Sequence, residues 1–158
     1  MYSEHFKSWL SGFIDGEGCF SFRRNASSNR YFIIEFDLAL RADELETIKY
    51  IQKYFGCGTF SFFQPKDSNG KLQVRYRISG SKNCKKVIEH INKYPLLAKK
   101  KNDYEIWREA TLLLLNKEHL KGRRDYLFYL AEKIKNIREY NRIEIENFDD
   151  KQLKLEVI

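Results

Sequence analysis

Cysteine is scarce in this chain, and its number is odd. Cys19, Cys57 and Cys84 form no Cys-x-x-Cys pair and sit near no His-x-x-x-His partner motif. That excludes a disulfide framework and a zinc site and leaves three reduced thiols, as expected inside a cell. Proline is rarer still, with two in 158 residues. No Pro/Gly/Ser-rich stretch divides the chain, so one domain over 1–158 is expected. No apolar run reaches the roughly 18 residues that cross a bilayer, which argues against a membrane partner. The first residues do not read as a secretory signal, so Asn25-Ala26-Ser27 is expected to match a glycosylation acceptor by chance.

Aromatic and basic residues are plentiful. Hydrophobic residues make up 42% and aromatics 15%, which excludes a disordered polymer. Lysine and arginine number 29 against 22 acidic residues, a formal charge of +7. Such a balance favours a polyanionic partner, either nucleic acid or an anionic membrane surface.

Periodicity organises the rest. Phe6, Trp9, Leu10, Phe13 and Ile14 recur at helical spacing after Ser3, a suitable N-cap. Ser8, Ser11, Gly12 and Asp15 form a second face of mostly small residues, over which two backbones could approach closely. After Gly18 the period falls to two, giving strands to Asn25 and from Tyr31 to Arg41. A helix over 43–55 follows, stopped by Gly56. Strands over 59–64 and 71–79 are joined through a turn at 65–70. Helices are expected over 81–94, after the basic loop at 99–101, and over 125–140. The order is α-β-β-α-β-β-α with additional C-terminal helices, an α+β chain with a four-stranded antiparallel sheet.

Amphipathic helices can cover one face of such a sheet. The other would present Arg23, Asn25, Tyr31, Asp37, Arg41, Ser61, Phe63, Lys66, Gln73, Arg75 and Arg77. Arginine and glutamine suit bidentate recognition of guanine and adenine edges, and a β-ribbon fits the major groove. The same residues could equally form an ordinary solvated sheet face.

The stretch "LSGFIDGEG", Leu10 to Gly18, poses a sharper problem. Carboxylates at a helix C-terminus face the carbonyl end of the dipole, at a cost of about 0.3–1 kcal/mol unless a cation is near. A hard divalent ion would reverse the sign by taking carboxylate and carbonyl oxygens. Chemistry alone leaves this open against a plain acidic turn.

"LSGFIDGEG" resembles the LAGLIDADG motif of homing endonucleases, with Ser11 where alanine is usual. "FDLALRADELETIKYIQKYFGCGTF", "VIEHINKYPLLAKKKNDYEIW" and "KEHLKG" are similar to later parts of that family. The resemblance implies half of a saddle: an α-β-β-α-β-β-α unit whose motif helix packs on that of a second copy and whose sheet faces DNA. It implies a homodimer that cuts a long, roughly palindromic double-stranded DNA target, and an intron-encoded origin in an organelle. Glu17 matches the metal-binding acid and Gly16 the residue that offers a carbonyl, with Mg²⁺ (or Mn²⁺) as the ion. Asp15 matches the position that braces the partner helix. Lys100, five residues beyond Pro95, matches the active-site lysine, with Lys99 and Lys101 as neighbouring registers. Asp37 and Arg41 match positions that organise the attacking water, although Asp37 departs from the more frequent glutamine and could instead pair with Arg41. The alternatives are an RNA maturase assisting group I intron splicing and a catalytically idle DNA-binding protein. Intact Glu17 and Lys100 favour cleavage.

Overall fold

The computed structural model describes residues 2–25, 27, 32–65 and 70–146. Over these the chain runs α1 (Glu4–Glu17), β1 (Gly18–Arg24), β2 (Phe32–Arg41), α2 (Leu45–Phe55), β3 (Thr59–Phe63), β4 (Gln73–Ser79), α3 (Ser81–Lys93), α4 (Lys100–Leu115) and α5 (Arg124–Glu146). One-turn 3-10 segments occupy Ala42–Glu44 and Glu118–Leu120. The strands form one antiparallel sheet in the order β1-β2-β4-β3, so the expected element order and α+β class are present. Tyr31, Lys66 and most of the turn at 65–70 lie outside the described residues.

The sheet alternates as its sequence does. Phe20, Phe22, Ile34, Phe36, Leu38, Val74, Tyr76 and Ile78 are buried on one face under the helices. Trp107 of α4 is fully buried there and donates its indole N–H to the backbone carbonyl of Glu35 at 2.9 Å, which fixes α4 against β2. A buried indole needs such an acceptor, and truncating it would remove about 3–5 kcal/mol of packing.

α1 ends later than its apolar stripe does, and Asp15 and Glu17 lie in its last turn. Ser3 caps its start by accepting from the Phe6 N–H at 3.1 Å. At its end, Gly18 donates to the Ile14 carbonyl and turns extended (φ −68°, ψ 146°), so helix becomes strand with no intervening loop. A Cβ at Gly18 would stand 2.6 Å from the Ile14 oxygen and 2.9 Å from its Cγ2. Glycine alone allows this junction, and the junction places Glu17 where the helix meets the sheet.

Leu10 and Ile14 are fully buried and Phe13 packs partly buried against the same core, whereas Trp9 is 42% exposed and stacks on Phe13, ring centroids 5.0 Å apart. One expectation about α1 is corrected. Ser11 is not on the open small-residue face: it is buried against α3 and donates its hydroxyl to the Tyr94 carbonyl at 2.5 Å. The open face comprises Ser8, Gly12 and Gly16, and no atom lies within 4 Å of a Cβ built on either glycine.

Ser11 belongs to a buried chain of hydrogen bonds. Having donated to Tyr94, its oxygen accepts from His90 Nε2 at 3.0 Å, and His90 Nδ1 in turn accepts from the Tyr54 hydroxyl at 3.0 Å. The partners assign one neutral tautomer and tie α1, α2 and α3 together. Burial and the nearby Lys7 ammonium lower the His90 pKa to about 4.

Two outcomes follow. Gly18→Ala should lower unfolding free energy by roughly 1–3 kcal/mol in urea titration, since helix and strand must move apart. His90 remains neutral in the folded chain while an unfolded imidazole charges below about 6.5. Its contribution is therefore fully present above that pH and drains as pH falls toward 4, by at most about 3 kcal/mol. Urea midpoints across pH 4.5–7.5 should show the slope, and His90→Gln should flatten it.

Candidate active site and nucleic-acid interface

The acidic end of α1 is met by groups from the start of α4. Asp15 Oδ2 accepts from the backbone N–H groups of Leu97 at 2.7 Å and Ala98 at 2.8 Å. Lys100, the first residue of α4, donates Nζ to the carbonyl oxygens of Gly18 at 2.6 Å and Gly16 at 3.2 Å. Free carbonyls at a helix C-terminus attract a cation, and N–H groups ahead of a helix attract a carboxylate, so the two ends neutralise one another. Within its own chain Asp15 therefore fastens the end of α1 to the segment leading into α4. Its Oδ1 is buried with no hydrogen-bond partner among the described residues.

Of the three consecutive lysines, Lys100 is the one on the helix end. Lys101 faces Glu105 at 4.0 Å along α4, and Lys99 is exposed. Glu17, between the two carbonyls that Lys100 holds, is exposed, and its carboxylate makes no hydrogen bond or ion pair with the described residues.

These groups suit a hard cation in part. The Gly16 carbonyl already faces an ammonium, and the Glu17 carboxylate is uncommitted, so both are oxygen donors of the type Mg²⁺ takes. Among the described residues, however, no group of three or more His, Cys, Asp or Glu side chains could hold a metal. One chain supplies at most part of a ligand set.

Register arranges the polar sheet face in rows. One row runs Cys19, Asp37, Arg77, Thr59; the next toward Arg23 runs Ser21, Glu35, Ser79. On the other side lie Ala39, Arg75, Ser61 and then Arg41, Gln73, Phe63. Arg77 is held by Asp37 through Nε at 2.6 Å and Nη2 at 3.0 Å, while its Nη1 lies 3.4 Å from Glu35. That bidentate pairing raises the Arg77 pKa. Glu35, 8% exposed, also takes Arg23 Nη1 at 3.0 Å and the Ser79 hydroxyl at 3.3 Å. Asp37 therefore pairs with Arg77, not with Arg41, which pairs with Asp43. Arg75 lies over the Phe63 ring, its Cζ 4.1 Å from the centroid. Asn25 accepts from the backbone N–H of Ser27 and is drawn into a local turn.

Sequence patterning missed two participants. Glu35 was visible only as one acid on a mixed strand face, because the opposing arginines depend on a register that sequence does not state. The Leu97 and Ala98 N–H groups carry no side-chain signal at all.

Residues 10–111 match the LAGLIDADG endonuclease family. Among curated relatives, probable intron-encoded endonuclease Cox1-I1b of Schizosaccharomyces pombe is 27% identical over 147 residues, covering 90% of this chain and 37% of its own length. Probable intron-encoded endonuclease 3 of Neurospora crassa is 31% identical over 118 residues, covering 71% of this chain and 21% of its own. The chain thus spans well under half of these relatives. Among solved structures, the LAGLIDADG meganuclease I-AabMI bound to uncleaved DNA aligns with TM-score 0.67 and 29% identity, over 79% of this chain and 43% of that one. The homing endonuclease I-TnaI aligns with TM-score 0.64 and 27% identity, over 85% of this chain and 96% of that one. The motif-bearing end of α1, the helix-end lysine and the four-stranded sheet lie within the matched region, and the chain belongs to the LAGLIDADG endonuclease family.

Proposed function

We propose that the chain is one half of a homodimeric, site-specific homing endonuclease that makes metal-dependent double-strand cuts in DNA. The observation that carries this is the uncommitted Glu17 carboxylate at the end of α1, beside Lys100 and at the foot of the open Ser8, Gly12, Gly16 face. Packing two such faces together would bring two copies of Glu17 to one axis, with two sheets flanking it. The near-complete overlap with I-TnaI supports a half-sized unit, and the intron-encoded designations of the relatives support an organellar, intron-borne origin.

In this reading Glu17 and the Gly16 carbonyl hold Mg²⁺, with Mn²⁺ able to take the same oxygens. When bound, the ion polarises the scissile phosphate, lowers the pKa of attacking water and stabilises the leaving oxygen. Lys100, held on the Gly16 and Gly18 carbonyls beside Glu17, would add positive charge where negative charge develops. Asp37 and Arg41 have a supporting part: Asp37 is engaged by Arg77 and orients it, and Arg41, paired with Asp43, stands opposite Gln73 at the edge of the polar face. Double-stranded DNA would lie across the polar sheet face and contact Asn25, Ser61, Gln73 and Arg75.

Glu17→Gln should leave duplex affinity within a few-fold while cutting cleavage by on the order of 10²–10³ or more, measured with Mg²⁺ on a selected target. Unchanged cleavage would remove Glu17 from the site. Gly12→Leu should convert the dimer to monomer in sedimentation, since a branched side chain there fills the space a facing backbone needs. A dimer that persists in Gly12→Leu would contradict the packing.

A further inference from the structure

Two arginines sit two residues apart on the same face of β4, in opposite circumstances. Arg77 has every part of its guanidinium engaged: Nε and Nη2 by Asp37, Nη1 close to Glu35. Glu35 is further neutralised by Arg23, so two positive and two negative groups form a closed set in the middle of the sheet. A surface meant for a polyanion would not carry two carboxylates at its centre unless they were matched in this way. This set adds no net charge for phosphates.

Arg75 makes no ion pair among the described residues, and its guanidinium lies 4.1 Å above the Phe63 ring. Phe63 is the diagonal neighbour of Arg75, two positions along β3 from its direct partner Ser61. Stacking occupies the flat face of the guanidinium and limits its rotation, and the N–H groups, which lie in the guanidinium plane, keep their outward edge. Directly opposite Arg75 the register places small residues, Ala39 on β2 and Ser61 on β3, and the Arg75 side chain is partly exposed. An oriented, accessible fork of donors is the group that pairs with O6 and N7 of guanine in the major groove.

Resting on the nuclease reading, we propose that Arg75, seated on Phe63, is the guanine-reading residue of each half-sheet, while Arg77 is a positioning residue that Asp37 and Glu35 withhold from DNA.

The test is selection of bound duplexes from a randomised DNA library, with Ca²⁺ in place of Mg²⁺, followed by salt titration of the winning duplex and of random duplex. The parent chain should enrich a guanine at one position in each half-site. Arg75→Lys keeps the charge and loses the fork, so that guanine preference should fall by about 10- to 100-fold. Phe63→Leu keeps the fork and loses its seat, and should weaken the same preference at the same position. Asp37→Asn frees Arg77, so affinity for random duplex should rise several-fold and the log–log salt slope should steepen by about one. Unaltered base preferences in both Arg75→Lys and Phe63→Leu, or loss of a base preference in Arg77→Gln, would overturn the assignment. A parent chain that enriches no duplex sequence would fail earlier, sinking the endonuclease reading and this assignment together.

Discussion

The C-terminus of α1 holds the molecule's function-bearing parts in place. A helix end presents carbonyl oxygens with no partner, and placing acids there compounds the negative potential. This chain answers with the start of α4: Lys100 takes the Gly16 and Gly18 carbonyls, and Asp15 takes the Leu97 and Ala98 N–H groups. The exchange is mutual, since each helix supplies what the other lacks. Gly18 makes it possible, because any Cβ would strike Ile14 and push the strand away from the helix. Glu17 is the one group in this turn left uncommitted, and its freedom depends on its neighbours' having been satisfied.

The same division recurs on the sheet. Glu35 and Asp37 sit where a DNA-facing surface should be most positive, and Arg23 and Arg77 cancel them across the strands. Ion pairs on an exposed surface add little stability on their own, but Glu35 is nearly buried and has three donors around it, so removing either arginine would strand a carboxylate in a poorly solvated place. The network thus fixes side-chain geometry more than it adds charge. Positive charge available to a polyanion must come from elsewhere, such as Arg75 and the lysine-rich start of α4.

How much of this could be read in advance follows from the range of the interactions. Strand alternation and helical stripes are local, so the element order and the four-stranded antiparallel sheet were legible. Family resemblance singled out Lys100 from sequence, and the structure seats its ammonium on the Gly16 and Gly18 carbonyls. Ser11 shows where local pattern fails: a small residue on a helix can serve a close helix contact or a buried hydroxyl, and only His90 and Tyr94, some eighty positions away, decide which. The pairing of Asp37 with Arg77 in place of Arg41 has the same origin, since a β2–β4 register is set by the whole sheet.

The open face of α1 carries a constraint of its own. Among the described residues nothing outside the helix's own backbone lies within 4 Å of a Cβ built on Gly12 or Gly16, yet both pay the entropy of glycine within a helix, about 0.5–1 kcal/mol each relative to alanine. Selection for stability of the isolated chain would replace them with alanine, for which there is ample room. Their presence makes physical sense if the room is filled from outside by another backbone. Trp9, 42% exposed and stacked on Phe13, has the same logic: an apolar ring that the core does not cover. The face that makes the chain suboptimal alone is the face that would align two Glu17 carboxylates.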